Sequence, residues 1–129
     1  MSLIHFPITS FSTPRAIAHW IGKSSPGGEF TFADPSDRFY RPHSASLLSN
    51  GNVLLFDNGN LRPPDEGGQY SRALELSLDL GTMTASKVWE YRQEPDVFSV
   101  CCSNVTRLDN GNTLVLFGSN LVEECCGSF

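Results

Sequence analysis

The sequence predicts an all-β fold of antiparallel hairpins, and three observations carry that prediction. Asn50-Gly51 is the step favoured in a tight hairpin of type I′, where both central residues take positive φ, and it lies between the apolar runs SASLL and VLLF. The same signal recurs at an offset of 60: Leu48, Asn50, Gly51, Asn52 and Leu54 return as Leu108, Asn110, Gly111, Asn112 and Leu114, so one supersecondary unit is used twice. Eleven Gly and 8 Pro among 129 residues, with 18% charged side chains and no apolar stripe at helical spacing, leave little material for long exposed helices.

The elements follow in order. Residues 1–14 read as a flexible N-terminus, and Arg15 to Trp20 as a short strand ended by Gly22. The next stretch, rich in Gly, Pro, Ser and Asp, reads as a loop interrupted by the alternating Phe30-Thr31-Phe32 and anchored by Phe39 and Tyr40. For those two aromatics hydrophobic packing is the first expectation and a ligand platform the second. Ser44 to Leu48 and Val53 to Asp57 form the first hairpin, after which Asn60 to Gln69 is a polar loop held extended at Arg62 by Pro63. From Arg72 to Asp79, Leu74, Leu76 and Leu78 alternate with Glu75, Ser77 and Asp79, predicting a strand whose acidic residues face away from the core. A turn at Leu80-Gly81-Thr82 leads to a fourth strand, Lys87 to Tyr91. The proline-bearing RQEPDVF is a connection, and Ser103 to Leu108 with Thr113 to Phe117 repeat the first hairpin.

A four-stranded meander recurring at about 60 residues is the pattern of propeller blades. Residues 15–129 are therefore expected to form a partial β-propeller: one full four-stranded antiparallel blade with parts of its neighbours. A single blade leaves sheet edges and apolar faces open. The chain is then a piece of a longer product, or self-associates through its open β edges, or closes into a different small β fold.

Charge and patterning exclude some classes. A net charge of -5 and no basic cluster argue against nucleic-acid binding, while local arginines could still hold a small anion. No run approaches the roughly 18 apolar residues of a membrane helix, and the first residues lack the pattern of a secretory signal, so the compartment is not assigned. Cys101-Cys102 and Cys125-Cys126 are compatible with thiols or with one or two bridges across a β structure, and their spacing is not that of a metal site. The three histidines are not spaced as a metal trio, and no phosphate-binding loop or nucleophile elbow occurs, so no cofactor is expected.

Four residues carry the chemical interest. His43 starts the first strand and, titrating near neutrality, suits acid, base, nucleophile or anion-ligand roles as readily as a surface one. Arg62 and Arg72 present planar donors of the kind that pair with phosphate or sulfate, and a salt bridge at the strand entry explains Arg72 equally well. Asn58, in Asp57-Asn58-Gly59, has an immediate structural role in the turn. Asn104-Val105-Thr106 matches a glycosylation acceptor but falls inside a predicted strand.

The ordered series WIG at Trp20–Gly22, PHS at Pro42–Ser44, NGNVLLFDNG at Asn50–Gly59, YSRALEL at Tyr70–Leu76, KVWEY at Lys87–Tyr91 and LDNGNTL at Leu108–Leu114 resembles the arylsulfotransferase propeller family. The resemblance implies a six-bladed propeller that moves a sulfuryl group from a phenolic sulfate to a phenolic acceptor without a nucleotide donor. It implies a sulfohistidine intermediate, with further histidines, an asparagine and an arginine binding the sulfate. By resemblance, His43 is the catalytic candidate and looks like the sulfate-binding histidine before the hairpin, Arg62 looks like the substrate-binding arginine that follows it, and Asn58 and Arg72 are further substrate-binding candidates, through direct contact or by organising the loop. The chain departs from the pattern in having no histidine after His43, where the family's nucleophile lies.

Overall fold

The computed structural model describes residues 29–119, and within them the chain is all-β, with two single-turn 3₁₀ segments at Pro35–Asp37 and Pro64–Glu66. Seven strands are present: β1 (Thr31–Phe32), β2 (His43–Leu47), β3 (Val53–Asp57), β4 (Arg72–Asp79), β5 (Thr84–Tyr91), β6 (Asn104–Arg107) and β7 (Thr113–Leu116). They make a five-stranded sheet in the order β1-β5-β4-β3-β2 and a separate β6-β7 hairpin. Strands β2 to β5 form the expected antiparallel meander, each pairing with the next. Both sheets are open. The strand expected at Arg15 to Trp20, the N-terminus 1–14 and the second cysteine pair lie outside the described residues.

Two expectations are corrected at the level of local structure. Phe30 to Phe32 is no mere interruption of a loop, because Thr31 and Phe32 pair in parallel with Thr84 and Ala85 of β5, which itself starts three residues earlier than expected. The hairpin turn is not type I′: Asn50 is absent from the positive-φ residues, and only Gly51, at φ 90, takes the left-handed region. Gly51 N–H donates to Leu48 O and Leu48 N–H to Asn52 O, the pattern of a type I turn followed by a left-handed glycine. Asn50 Oδ1 accepts Asn52 N–H, so its side chain braces the loop instead of its own backbone inverting. Residues 108–112 repeat all three bonds, with Gly111 again at φ 90.

The five-stranded sheet is covered on both faces. One carries Val53, Leu55, Leu74 and Leu76 against Phe30, Phe39, Ala45 and Ala85. Phe39 and Tyr40 are buried, at 1% and 3% exposure, and Phe39 packs edge-on against Phe32. The other face carries Leu54, Phe56 and Ala73 against Val105 of the second hairpin, with Phe117 edge-on to Phe56. This second layer overturns the expectation for Glu75, which points away from the first core but is 6% exposed because the hairpin lies over it. Its carboxylate accepts from Asn52 Nδ2 at 2.8 Å and from Arg107 at 2.7 Å, joining the two repeats through an ion pair. Burial opposes ionisation of Glu75, but the bonds from Asn52 and Arg107 win, and its pKa lies below the ordinary 4.5.

A carboxylate with a depressed folded pKa stabilises above its unfolded pKa, and that contribution is lost as pH falls through the folded value. Acid should therefore weaken the docking of β6-β7 below the ordinary 4.5. Urea unfolding at neutral pH and at about pH 3 should show a smaller acid loss in Glu75→Gln than in the wild-type chain. Equal acid losses in the two proteins would remove Glu75 from this role.

Candidate functional site

The site residues gather where β2 begins and β3 ends. His43 opposes Phe56 in the register, and β2 then bulges before Ser46 meets Leu54. The bulge places Ser44 at φ 56, an uncommon conformation for a residue with a Cβ, and re-aims the strand's entry. Ser44 Oγ donates to Asn104 Oδ1 at 2.8 Å and lies 3.2 Å from Val105 O, so its hydroxyl tethers the bulge to β6.

Asp57 and Asn58 are adjacent, and the alternation of a strand sends their side chains to opposite faces. Asp57 continues the face of Val53 and Leu55. Its carboxylate, with no exposed surface, accepts from Arg62 at 2.6 Å, Arg72 Nε at 2.9 Å and Tyr40 N–H at 2.9 Å. Arg62 also donates to Arg38 O at 3.0 Å and lies over the rings of Tyr70 at 4.3 Å and Tyr40 at 5.1 Å. Arg72 donates to Glu90, Ser36 O and Arg38 O. Burial alone would lower the Arg72 pKa, but the Asp57 carboxylate outweighs it together with weaker partners, and the net direction is upward. Tyr40 is pushed up to about 12 by burial and by the Glu66 carboxylate that accepts its hydroxyl proton at 2.7 Å.

Asn58, on the other face, is fully buried and meets His43: Nδ1 of the imidazole lies 2.6 Å from Asn58 Oδ1. The amide of Asn58 has one permitted orientation, because its nitrogen lies 2.7 Å from Ser99 O, a carbonyl that can only accept. Asn58 Oδ1 is therefore the acceptor facing His43, and Nδ1 carries the proton. In the neutral ring that leaves the basic lone pair on Nε2. Ser71 completes the frame, its hydroxyl donating to Asn58 O at 2.6 Å and accepting Ser99 N–H at 2.8 Å.

Of the four residues singled out in the sequence, the structure brings His43 and Asn58 together in one hydrogen bond, and Arg62 and Arg72 together on one carboxylate. The two pairs sit on opposite faces of the sheet end. Sequence reasoning assigned no chemical role to Ser99, which follows the RQEPDVF connection, or to Ser103, which begins the expected strand after it, and treated Asp57 only as a strand-end turn residue. Cys101 is buried and disulfide-bonded, and Cys102 is exposed beside it at φ 65. Among the described residues no group of His, Cys, Asp and Glu could hold a metal ion, and no helix is long and apolar enough to cross a membrane.

Two outcomes test this construction. Asp57→Ala leaves two buried guanidiniums without their carboxylate and should cost about 3–5 kcal/mol in urea unfolding, where a cost near that of an ordinary surface substitution would contradict the arrangement. Gly59 and Gly51 both have positive φ, at 83 and 90, but a Cβ on Gly59 would lie 1.9 Å from Tyr70 O whereas one on Gly51 meets nothing. Gly51→Ala should lose about 1–2 kcal/mol from its left-handed backbone alone, and Gly59→Ala clearly more; similar losses would show that the Tyr70 carbonyl moves aside freely.

The family model described as Arylsulfotransferase (ASST) matches residues 27–126. The arylsulfate sulfotransferase AssT of Escherichia coli O6:H1 (strain CFT073) is 32% identical over 91 residues, covering 66% of this chain and 15% of that protein. The matched part of this chain thus spans a small fraction of the length of its curated relative.

Proposed function

Because this chain belongs to the arylsulfotransferase family, we propose that it supplies part of a sulfuryl-transfer site to a larger β-propeller. Transfer from a phenolic sulfate to a phenolic acceptor is the reaction of the complete protein in this reading. The meander β2 to β5 is one blade and β6-β7 opens the next. Support for the blades comes from the offset of 60, at which the turns share their hydrogen bonds and Ser44 bonds to its own counterpart, Asn104.

In the reaction, the bond from sulfur to the donor's phenolic oxygen breaks and a bond to the acceptor's phenolic oxygen forms. The acceptor loses its proton and the departing phenolate gains one. Negative charge on the transferring oxygens and on the leaving oxygen has to be stabilised while this happens. In this reading His43 serves that task, and the single observation that supports it is the 2.6 Å contact between Nδ1 and an asparagine oxygen whose orientation is forced by Ser99 O. With Nδ1 occupied by Asn58, the ring meets the sulfuryl group through Nε2, which donates to a sulfate oxygen when the ring is protonated. Asn58 fixes the tautomer. Arg62 and Arg72, at 3% and 1% exposure, act from behind the sheet by holding Asp57 and the loop that carries Asn58.

A non-catalytic anion-binding or structural propeller module is the competing reading, favoured by the commitment of both guanidiniums to Asp57. In the intact protein supplied with a chromogenic phenyl sulfate and a phenolic acceptor, His43→Ala should lower transfer by about 10²–10³-fold and weaken donor binding. Donor binding without transfer by folded wild-type protein would establish the competing reading. Unchanged transfer and binding in His43→Ala would remove His43 from the site.

A further inference from the structure

We propose that Ser103, assisted by Ser99, is a positioning residue for His43, so that the second repeat completes the site carried by the first. This rests on His43 and Asn58 forming the site above, but its geometry stands apart from the reaction. Asn58 Nδ2 has two hydrogens and two acceptors, Ser99 O at 2.7 Å and Ser103 Oγ at 3.2 Å. One acceptor would set which end of the amide faces His43; two also set the plane of the amide, and with it the direction of Oδ1.

The direction of each bond follows from the backbone groups at the end of the network. Gly118 N–H donates to Ser103 Oγ at 3.1 Å, and Asn58 Nδ2 donates to the same oxygen, which fills both of its lone pairs. Ser103 must then donate its own proton to Ser99 Oγ, 2.8 Å away. Ser99 in turn passes its proton to a carbonyl, Cys101 O at 3.2 Å or Ser119 O at 3.3 Å. Donation therefore runs one way, from His43 Nδ1 through Asn58 and Ser103 to Ser99 and the backbone. Ser99 is fully buried and Ser103 is 7% exposed, so water is poorly placed to replace either hydroxyl.

Position in the repeat supports the assignment. Ser103 follows His43 by the same offset of 60 that relates the two hairpins, and Gly118 follows Asn58 by that offset. The pair His43 with Asn58 in one repeat thus corresponds to the pair Ser103 with Gly118 in the next, and the two pairs join at the bond from Asn58 to Ser103.

The test reads the ring itself. In the intact protein, the ring-nitrogen NMR shifts of neutral His43 should report the Nδ1–H tautomer in the wild type. Ser103→Ala leaves the amide facing the same way through Ser99 O but frees its plane, so the misdirected Oδ1 holds the Nδ1 proton less well and a mixture containing the Nε2–H form that imidazole prefers in water should appear; Ser103→Thr, which keeps the hydroxyl, should restore the wild-type tautomer. Should Ser103→Ala fail to fold, Ser99→Ala removes the next hydroxyl while leaving the carbonyl that Asn58 uses, and a shift toward Nε2–H is again expected. A folded Ser103→Ala or Ser99→Ala protein with the wild-type tautomer would overturn the proposal. Because the readout needs no sulfate, a tautomer shift in Ser103→Ala alongside unimpaired aryl sulfate binding in His43→Ala would sink the functional reading and leave the positioning role standing.

Discussion

The Asp57 carboxylate is the constraint on which the rest of the site depends. It ends β3 with no solvent exposure and carries two arginines and a backbone N–H, so its partners arrive from three separate segments. An unpaired buried carboxylate would cost several kcal/mol, and so would either guanidinium left without it. Once Asp57 is buried, Arg62 must fold back from its loop, Arg72 must lie flat under the sheet end, and Tyr40 must bring its backbone within reach. The loop 58–71 is shaped by these demands, and Gly59 is required because the Tyr70 carbonyl crosses where a side chain would begin.

That anchoring fixes the opposite face. With Asp57 pointing one way, strand alternation turns Asn58 the other way, into the space beneath His43. The charged side of the sheet end provides rigidity, and its neutral side provides an oriented imidazole. Full burial of Asn58 matters here, since an exposed amide would exchange its partners with water and leave the tautomer unspecified. The bulge at Ser44 serves the same end by tethering the entry of β2 to the neighbouring repeat.

Much of the fold was legible because its signals are local. The meander follows from period-two alternation and from a turn that occurs twice, and the strands lie within a few residues of their expected bounds. The turn type was not legible, since Asn-Gly suits both the type I′ turn and the end of the longer loop, and the choice depends on hydrogen bonds to Leu48 and Asn52. Glu75 was misread because alternation shows which side a residue faces and not what covers that side. His43 and Asn58 could be picked out by residue type, but their contact spans a strand pair. Arg62 and Arg72 were attractive as anion ligands on charge alone, and only the position of Asp57 shows where their donors go. Ser99 and Ser103 had no signal of their own beyond their place in the repeat.

The glycine at 118 has a consequence for how the two repeats diverge. A Cβ there would collide with the carbonyl oxygens of Cys101 and Cys102, so no asparagine can stand where the first repeat has Asn58. The second repeat is thereby barred from building a histidine and asparagine pair of its own, whatever replaces Ser103. Duplication of the unit did not duplicate the hydrogen-bonded pair: one copy holds the imidazole against its amide, and in its twin the same position has room only for a glycine.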